Sequence, residues 1–177
     1  EHKGGPLAHL LRASLLTAFR THPPPSSPFI IATEDPQREL LDPAVLGTVN
    51  VLRSVAAAGT GVVRRVVLTS SVAAVHGEMA APPKAGPLYT CDDWNETSTV
   101  EGGQAYHLSK ARAEREAWRV AAGAGLDLVT VCPNFVLGPA LSRAACGTSV
   151  GYAKGMIEGG TISGAPTICD VRDVARA

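Results

Sequence analysis

The sequence lacks the features that usually mark a protein as a partner of nucleic acid or of a membrane. Its 16 basic residues are balanced by 16 acidic ones, so the formal net charge is +0, and no run of Lys and Arg stands out. Proteins that grip phosphates need a basic patch, so nucleic acid is not an expected partner. No apolar run reaches the roughly 20 residues that a membrane-spanning helix requires, so no membrane partner is expected either.

Metal-binding patterns are also missing. The five His are scattered without an HExxH arrangement, and the four Cys form no CxxC pair. Structural zinc sites and metalloprotease sites depend on such close spacings, so no metal site is predicted. The simplest interpretation of the cysteines is reduced thiols in a cytoplasmic protein. The residues concerned are Cys91, Cys132, Cys146 and Cys169.

The composition that is present is typical of a folded domain. Of 177 residues, 45% are hydrophobic and 18% are charged, which suits one globular domain with a real core. The sequence begins with Glu1, and its last residues, 170–177, resemble the opening turn of a helix. We therefore expect a piece of a longer protein.

The hydrophobic pattern predicts alternating strands and helices, and long helical crossovers between strands imply a parallel sheet with helices on both faces. Asp42 and Pro43 are predicted to open one helix, as its N-cap and its first residue. Residues 72–104 and 134–139 are predicted to be loops. The predicted helices cover 6–20, 39–58, 103–122 and 148–158, and the predicted strands cover 29–33, 64–69, 126–132 and 167–169.

Tyr106 and Lys110 are four residues apart on a predicted helix, so they share one face. An ammonium beside a phenol favours its ionised form, which suits proton exchange with a carbonyl or alcohol oxygen. The spacing alone is weak evidence, because a solvated helix face explains it equally well. However, Ser70, Ser71 and residues 133–136 follow the carboxyl ends of two predicted strands, where parallel sheets bind ligands. Without the helix, two serines that satisfy a turn would be the better interpretation.

Several motifs together resemble the extended short-chain dehydrogenase/reductase superfamily, also called the NAD-dependent epimerase/dehydratase family. They are the Thr69–Ser70–Ser71 triplet, the Tyr106 and Lys110 pair, and residues 132–139 (CPNFVLGP). Three stretches further resemble the plant group of dihydroflavonol 4-reductase, anthocyanidin reductase and cinnamoyl-CoA reductase. They are residues 39–52 (ELLDPAVLGTVNVL), 63–71 (VRRVVLTSS) and 109–118 (SKARAEREAW). The resemblance covers 29–177, a partial NAD(P)-binding domain, whereas 1–28 match nothing in the group.

The resemblance implies a Rossmann-like α/β fold, incomplete because the first βαβ unit and the C-terminal substrate region are missing. It also implies NADP (or NAD) as cofactor and the interconversion of a carbonyl and an alcohol. Tyr106 would be the acid/base, Lys110 would hold the nicotinamide ribose and lower the tyrosine pKa, and Ser71 (or Ser70) would hydrogen-bond the substrate carbonyl. The cofactor-binding residues would be Ala32, Thr33, Ser70, Tyr106, Lys110, Pro133, Asn134, Phe135 and Val136.

Departures from the group leave alternatives open. The GxxGxxG turn, which in this group receives the pyrophosphate, is missing from the sequence. Residues 104–110 (QAYHLSK) replace the cinnamoyl-CoA reductase signature, which favours a flavonoid- or phenylpropanoid-like substrate over a CoA thioester. The alternatives are a truncated, non-catalytic relative that serves as a binding module, and a nucleotide-sugar epimerase or dehydratase.

Overall fold

The computed structural model describes residues 33–77, 83–139, 148–160 and 167–177. The predicted helix over 6–20 lies outside these residues, as does the predicted strand over 29–33 except for Thr33. The described elements alternate between helices and strands as far as residue 131, as the hydrophobic pattern predicts, and a second strand then follows at 135–137.

The first helix begins earlier than predicted. A π-helical turn, Gln37–Leu41, continues directly into helix α1, Asp42–Ala58. Asp42 has helical dihedrals (φ −60°, ψ −48°), so the prediction that it is the N-cap is wrong. Its carboxylate instead accepts a hydrogen bond of 2.6 Å from the Gln37 side chain. The helix ends at Gly59, whose φ of 83° suits a residue without a Cβ.

Strand β1 (Val66–Thr69), helix α2 (Ala105–Ala124) and strand β2 (Leu128–Val131) form a βαβ unit. The two strands are parallel, and their register pairs Val66 with Leu128 and Thr69 with Val131. Their carboxyl ends therefore lie side by side. The long connection between β1 and α2 contains a 3-10 turn, Val72–Ala74, and has no helix or strand in its described residues from 83 to 104.

Helix α2 is two residues longer than predicted at its C-terminal end. It runs through Gly123 and ends at Gly125, which has a left-handed φ of 63°. The Leu126 amide then donates a 2.9 Å hydrogen bond to the Ala121 carbonyl. This is the usual glycine-terminated helix end, which satisfies carbonyls that lack a partner in the last turn.

Both long helices pack on the same face of the β1–β2 sheet. Their shared core consists of Leu52, Ala117, Ala121 and Leu128, with Val66 and Leu68 packed against it. The small alanines let α2 lie close to α1 and to the sheet. On the opposite face, Val67 is 60% exposed and Val129 is 38% exposed. Within the described residues, the prediction of helices on both faces is therefore met on one face.

Four further elements follow β2: strand β3 (Phe135–Leu137), helix α3 (Thr148–Ile157), strand β4 (Ile168–Asp170) and the single turn α4 (Val171–Val174). Strands β3 and β4 are parallel and form a second two-stranded sheet. The prediction of a loop over 134–139 is thus wrong for three of its residues. The apolar Phe135–Leu137 segment is short enough to resemble a loop in sequence, but pairing with β4 makes it a strand.

The continuous helix Gln37–Ala58 has 22 residues and contains an 18-residue stretch with a mean hydropathy of 1.2, enough in length and composition to cross a membrane. The sequence pattern does not predict a membrane span here, because charged residues interrupt the start of the helix. Length and composition are weak evidence for insertion, since core helices of water-soluble domains have the same properties. This helix places Leu52 in the core that it shares with α2 and the sheet.

Candidate active site

The structure brings Ser71 and Tyr106 together. Ser71 follows β1 in an extended conformation (φ −160°, ψ 151°), and its hydroxyl caps the 3-10 turn by accepting a 3.2 Å hydrogen bond from the Ala73 amide. Tyr106 is in the first turn of α2, and Ser71 lies close enough to its phenol to favour the ionised form by side-chain hydrogen bonding, which acts to lower the Tyr106 pKa. The predicted convergence of the β1 tip and the Tyr106 helix is therefore present.

Lys110 lies one turn further along α2, beside the same tyrosine. Its Nζ is 5.4 Å from the centroid of the Tyr106 ring, within the range of a cation–π contact. Burial lowers the pKa of the Lys110 ammonium, because the charged form loses contact with water. Lys110 is thus a half-buried cation next to the candidate acid.

The pKa of Tyr106 is shifted in the direction opposite to the prediction. Burial raises the pKa of the phenol, and the hydrogen bond from Ser71 partly opposes that rise. Lys110 is not among the causes of the shift, so the expected lowering of the Tyr106 pKa by its ammonium is absent. Tyr106 is consequently protonated at neutral pH, which is the form that can donate a proton.

Ser70 and Ser71 engage different residues of α2. The Ser70 hydroxyl donates to the Glu114 carboxylate, whereas Ser71 meets Tyr106. Adjacent side chains of an extended segment point in opposite directions, so one serine cannot substitute for the other. The structure thus separates the two serines that the sequence left interchangeable, and it places the Ser70 hydroxyl in a hydrogen bond to the Glu114 carboxylate.

The segment after β2 runs beside the two serines. The Ser70 amide donates to the Val131 carbonyl at 2.8 Å, and the Val72 amide donates to the Pro133 carbonyl at 3.0 Å. Pro133 therefore lies next to the backbone that carries Ser71. Of the other predicted cofactor contacts, Phe135 and Val136 are in β3, where they pair with Ile168 and Cys169 of β4.

The predicted contacts at the start of the chain are not joined to this group. The Thr33 hydroxyl donates to the Glu39 carboxylate and accepts a 3.2 Å hydrogen bond from the Asp35 amide. These bonds hold the start of the first helix. Ala32 lies outside the described residues.

Sequence reasoning missed Asn95, which anchors the long connection beneath the site. Asn95 is 4% exposed. Its side-chain NH2 group donates a 2.8 Å hydrogen bond to the Ala73 carbonyl, and its backbone N–H donates a 2.8 Å hydrogen bond to the Ala74 carbonyl. Its side-chain oxygen also accepts from the Ser98 amide at 3.1 Å. These bonds fix the 3-10 turn that follows Ser71. The sequence signal was the polar and aromatic cluster over 92–96, in a stretch treated only as a loop.

Sequence reasoning also missed Glu114, which is 6% exposed. Beside it lies a cavity of about 460 Å³, whose lining includes Tyr89, Trp94, Trp118 and Cys132. The Glu114 carboxylate accepts hydrogen bonds from Ser70, from the Cys132 thiol at 3.5 Å and from the Trp118 indole at 3.3 Å. Within the described residues, no group of three or more metal-ligating side chains could hold an ion.

Curated proteins that are similar to this chain are reductases by name. No protein-family model matches the chain. Tetraketide alpha-pyrone reductase 1 of Arabidopsis thaliana is 38% identical over 157 residues, which are 85% of this chain and 46% of the relative. An anthocyanidin reductase of Vitis vinifera that forms (2S)-flavan-3-ol is 33% identical over 167 residues, 86% of this chain and 48% of the relative.

A solved structure shows the same fold. Yeast methylglyoxal/isovaleraldehyde reductase Gre2, complexed with NADPH, superposes with a TM-score of 0.69 and 30% sequence identity. The match covers 85% of this chain and 48% of that structure. The chain therefore has the Rossmann-like α/β fold, and it spans about half the length of the relatives that it matches.

Proposed function

Since the chain belongs to the extended short-chain dehydrogenase/reductase superfamily, in the dihydroflavonol 4-reductase-like group of plant reductases, we propose that it reduces a small carbonyl compound with NADP or NAD. The substrate class that we propose is flavonoid- or phenylpropanoid-like. Several relatives support this class, since they are named for flavonoid or phenylpropanoid substrates.

One observation carries the proposal: Ser71 at the tip of β1 lies beside the Tyr106 phenol and influences its pKa, and the Lys110 Nζ is 5.4 Å from the centroid of the same ring. A carbonyl that gains electrons becomes basic at oxygen and needs a proton. Tyr106, held protonated by burial, donates that proton, and Ser71 steadies the same oxygen by a hydrogen bond. The nicotinamide, when bound, supplies the hydride.

The residues of the site fit a dinucleotide. Among the described residues, the contact that Lys110 makes is with the Tyr106 ring, and no described carboxylate forms an ion pair with it. A half-buried ammonium with unused donors can hold the hydroxyl groups of a ribose. Ser70 is left out of the proposed cofactor contacts, because its hydroxyl is bonded to Glu114.

The first test is binding. The chain is titrated with NADPH while the nicotinamide fluorescence is followed, and Lys110→Ala is compared with Lys154→Ala. Lys154 is an exposed lysine of α3 whose ammonium pairs with the Glu158 carboxylate at 3.7 Å. Lys154→Ala therefore removes the same charge as Lys110→Ala, but from an exposed position. We expect saturable binding that weakens at least tenfold in Lys110→Ala alone.

The second test is turnover, with a dihydroflavonol and a phenylpropanoid aldehyde as substrates. Tyr106→Phe should abolish NADPH oxidation, whereas Tyr152→Phe should retain it. If the unaltered chain neither binds NADPH nor oxidises it, the reductase proposal fails for this chain, and the non-catalytic alternative replaces it. Equal NADPH affinity in both lysine variants would also contradict the proposed site.

A further inference from the structure

We propose that Glu114 is a positioning residue, whose buried carboxylate ties the tips of β1 and β2 to α2 and thereby keeps Ser71 beside Tyr106. The proposal rests on the proposed function, because it assigns Glu114 to the same reaction. Glu114 would touch neither substrate nor cofactor and would act through Ser70 and Ser71.

The position of Glu114 on α2 supports this role. Tyr106, Lys110 and Glu114 are spaced by four residues, so they form one stripe along the helix. Tyr106 meets Ser71 at one end of the stripe, and Glu114 meets Ser70 at the other. Two consecutive residues of the β1 tip are therefore bonded to two points of the same helix.

The partners of Glu114 come from three elements. One carboxylate oxygen accepts from the Ser70 hydroxyl after β1 and from the Cys132 thiol after β2, and the other accepts from the Trp118 indole of α2. Hydrogen bonds to an ionised group are about twice as strong as those between neutral groups. A single carboxylate thus ties both strand ends to the helix that carries Tyr106.

No cation from the described part of the chain pairs with the Glu114 carboxylate. Among the ion pairs of the described residues, none includes Glu114. The pKa of the Cys132 thiol is raised to about 11 by burial and by the Glu114 charge, so the thiol stays protonated and remains a donor. Burying a carboxylate among neutral donors costs free energy unless every hydrogen bond to it is made. This requirement fixes the positions of all three donors.

The consequence for Ser71 is geometric. Ser70 and Ser71 are neighbours in an extended backbone, so a shift of one moves the other. Misplacement of about 1 Å is enough to weaken a catalytic contact about a hundredfold. Asn95 holds the other side of Ser71 through the Ala73 carbonyl, so the β1 tip is secured from both directions.

The test measures the ionisation of Tyr106 by NMR of the tyrosine Cζ carbon, assigned by comparison with Tyr106→Phe. Glu114→Ala should raise the Tyr106 pKa towards the value found in Ser71→Ala, because the Ser71 bond is weakened. Glu114→Gln should raise the Tyr106 pKa less than Glu114→Ala does, since the glutamine side-chain oxygen can still accept a hydrogen bond from Ser70. The matched control is Glu116→Ala, which removes a charge from the same helix and breaks only the 2.8 Å pair with Arg119.

An unchanged Tyr106 pKa in a folded Glu114→Ala chain, when Ser71→Ala does raise it, would overturn the proposal. If Glu114→Ala does not fold, Ser70→Ala carries the same expectation with the loss of one donor only. In turnover, we expect kcat to fall at least tenfold with a smaller change in KM. A chain without NADPH turnover would contradict the proposed function, yet the titration would still decide the role of Glu114.

Discussion

Ser71, at the tip of β1, lies beside Tyr106, in the first turn of α2. Side-chain hydrogen bonding from Ser71 opposes the rise in the Tyr106 pKa that burial causes. The environment keeps the phenol in its protonated form, whereas the spacing of Tyr106 and Lys110 alone suggested the ionised form. The site is therefore prepared for proton donation, as reduction of a carbonyl requires.

Replacing Ser71 with Ala should raise the pKa of Tyr106 further, because the phenolate loses the donor that favours it. Reduction needs protonated tyrosine, so the alkaline limb of its pH–rate profile should move to higher pH as overall activity falls. The profile of kcat/KM for NADPH oxidation measures both effects. Ser54→Ala is the control, since its hydroxyl donates only to the Asn50 carbonyl at 2.9 Å. An alkaline limb that moves to lower pH would contradict the assignment.

Replacing Lys110 with Met should stabilise the fold at neutral pH while removing activity. Burial lowers the Lys110 pKa in the folded state, so the charged form is destabilising below that pKa. As pH rises through the folded pKa towards the unfolded value of about 10.4, this penalty disappears. The melting temperature of Lys110→Met should therefore exceed that of the unaltered chain by less at pH 10 than at pH 7. Lys154→Met, at an exposed position, should show no such dependence. A lower melting temperature for Lys110→Met at pH 7 would contradict the prediction.

Cys132 should react with iodoacetamide far more slowly than Cys91. Cys91 is exposed, whereas the pKa of the half-buried Cys132 is raised to about 11, so only about one thiol in ten thousand is ionised at pH 7. Peptide mass spectrometry of timed samples gives the two rates. Glu114→Ala should speed the modification of Cys132, because it removes the neighbouring negative charge. Equal rates at the two cysteines in the unaltered chain would contradict the half-buried position and the raised pKa of Cys132.

Replacing Gly77 with Ala should destabilise the fold by about 1–3 kcal/mol, as expected for overpacking in a tight site. A Cβ at this position would lie 2.8 Å from the Thr97 hydroxyl and 2.9 Å from that of Ser98. Ser98 is buried and bonded to Asn95, so it cannot move without releasing the anchor of the 3-10 turn. Chemical denaturation gives the free energy of unfolding. Gly61→Ala is the control, since a Cβ there meets nothing within 4 Å. An equal, small effect of both substitutions would disprove the tight packing.

Apart from strand β3, the order of the described helices and strands could be predicted from the sequence, because hydrophobic periodicity reflects which face of each element is buried. Boundaries were less predictable. Gly123 and Gly125 look equivalent in sequence, but only Gly125 has the positive φ that ends α2. Similarly, Asp42 resembles an N-cap, yet the preceding π-helical turn already supplies the start of the helix. Tertiary packing decides both cases.

The Tyr106 and Lys110 pair was identifiable because its spacing is local. Glu114 was not, since its partners Ser70 and Cys132 are 44 and 18 residues away in sequence. The four-residue spacing places Glu114 on the same stripe of α2 as Tyr106 and Lys110, but its partners are identifiable only once the strand ends are placed. The direction of the Tyr106 pKa was missed for a related reason, since burial is a property of the whole fold.

Val67 and Val129 are partners in the register of β1 and β2, and both are exposed on the face away from α1 and α2. Most of the Val67 residue and part of Val129 therefore lie in water, so their burial contributes less to the hydrophobic effect than burial of a core valine. This pair leaves apolar surface on the face of the sheet that α1 and α2 do not cover. A further layer packed on that face would bury this apolar area.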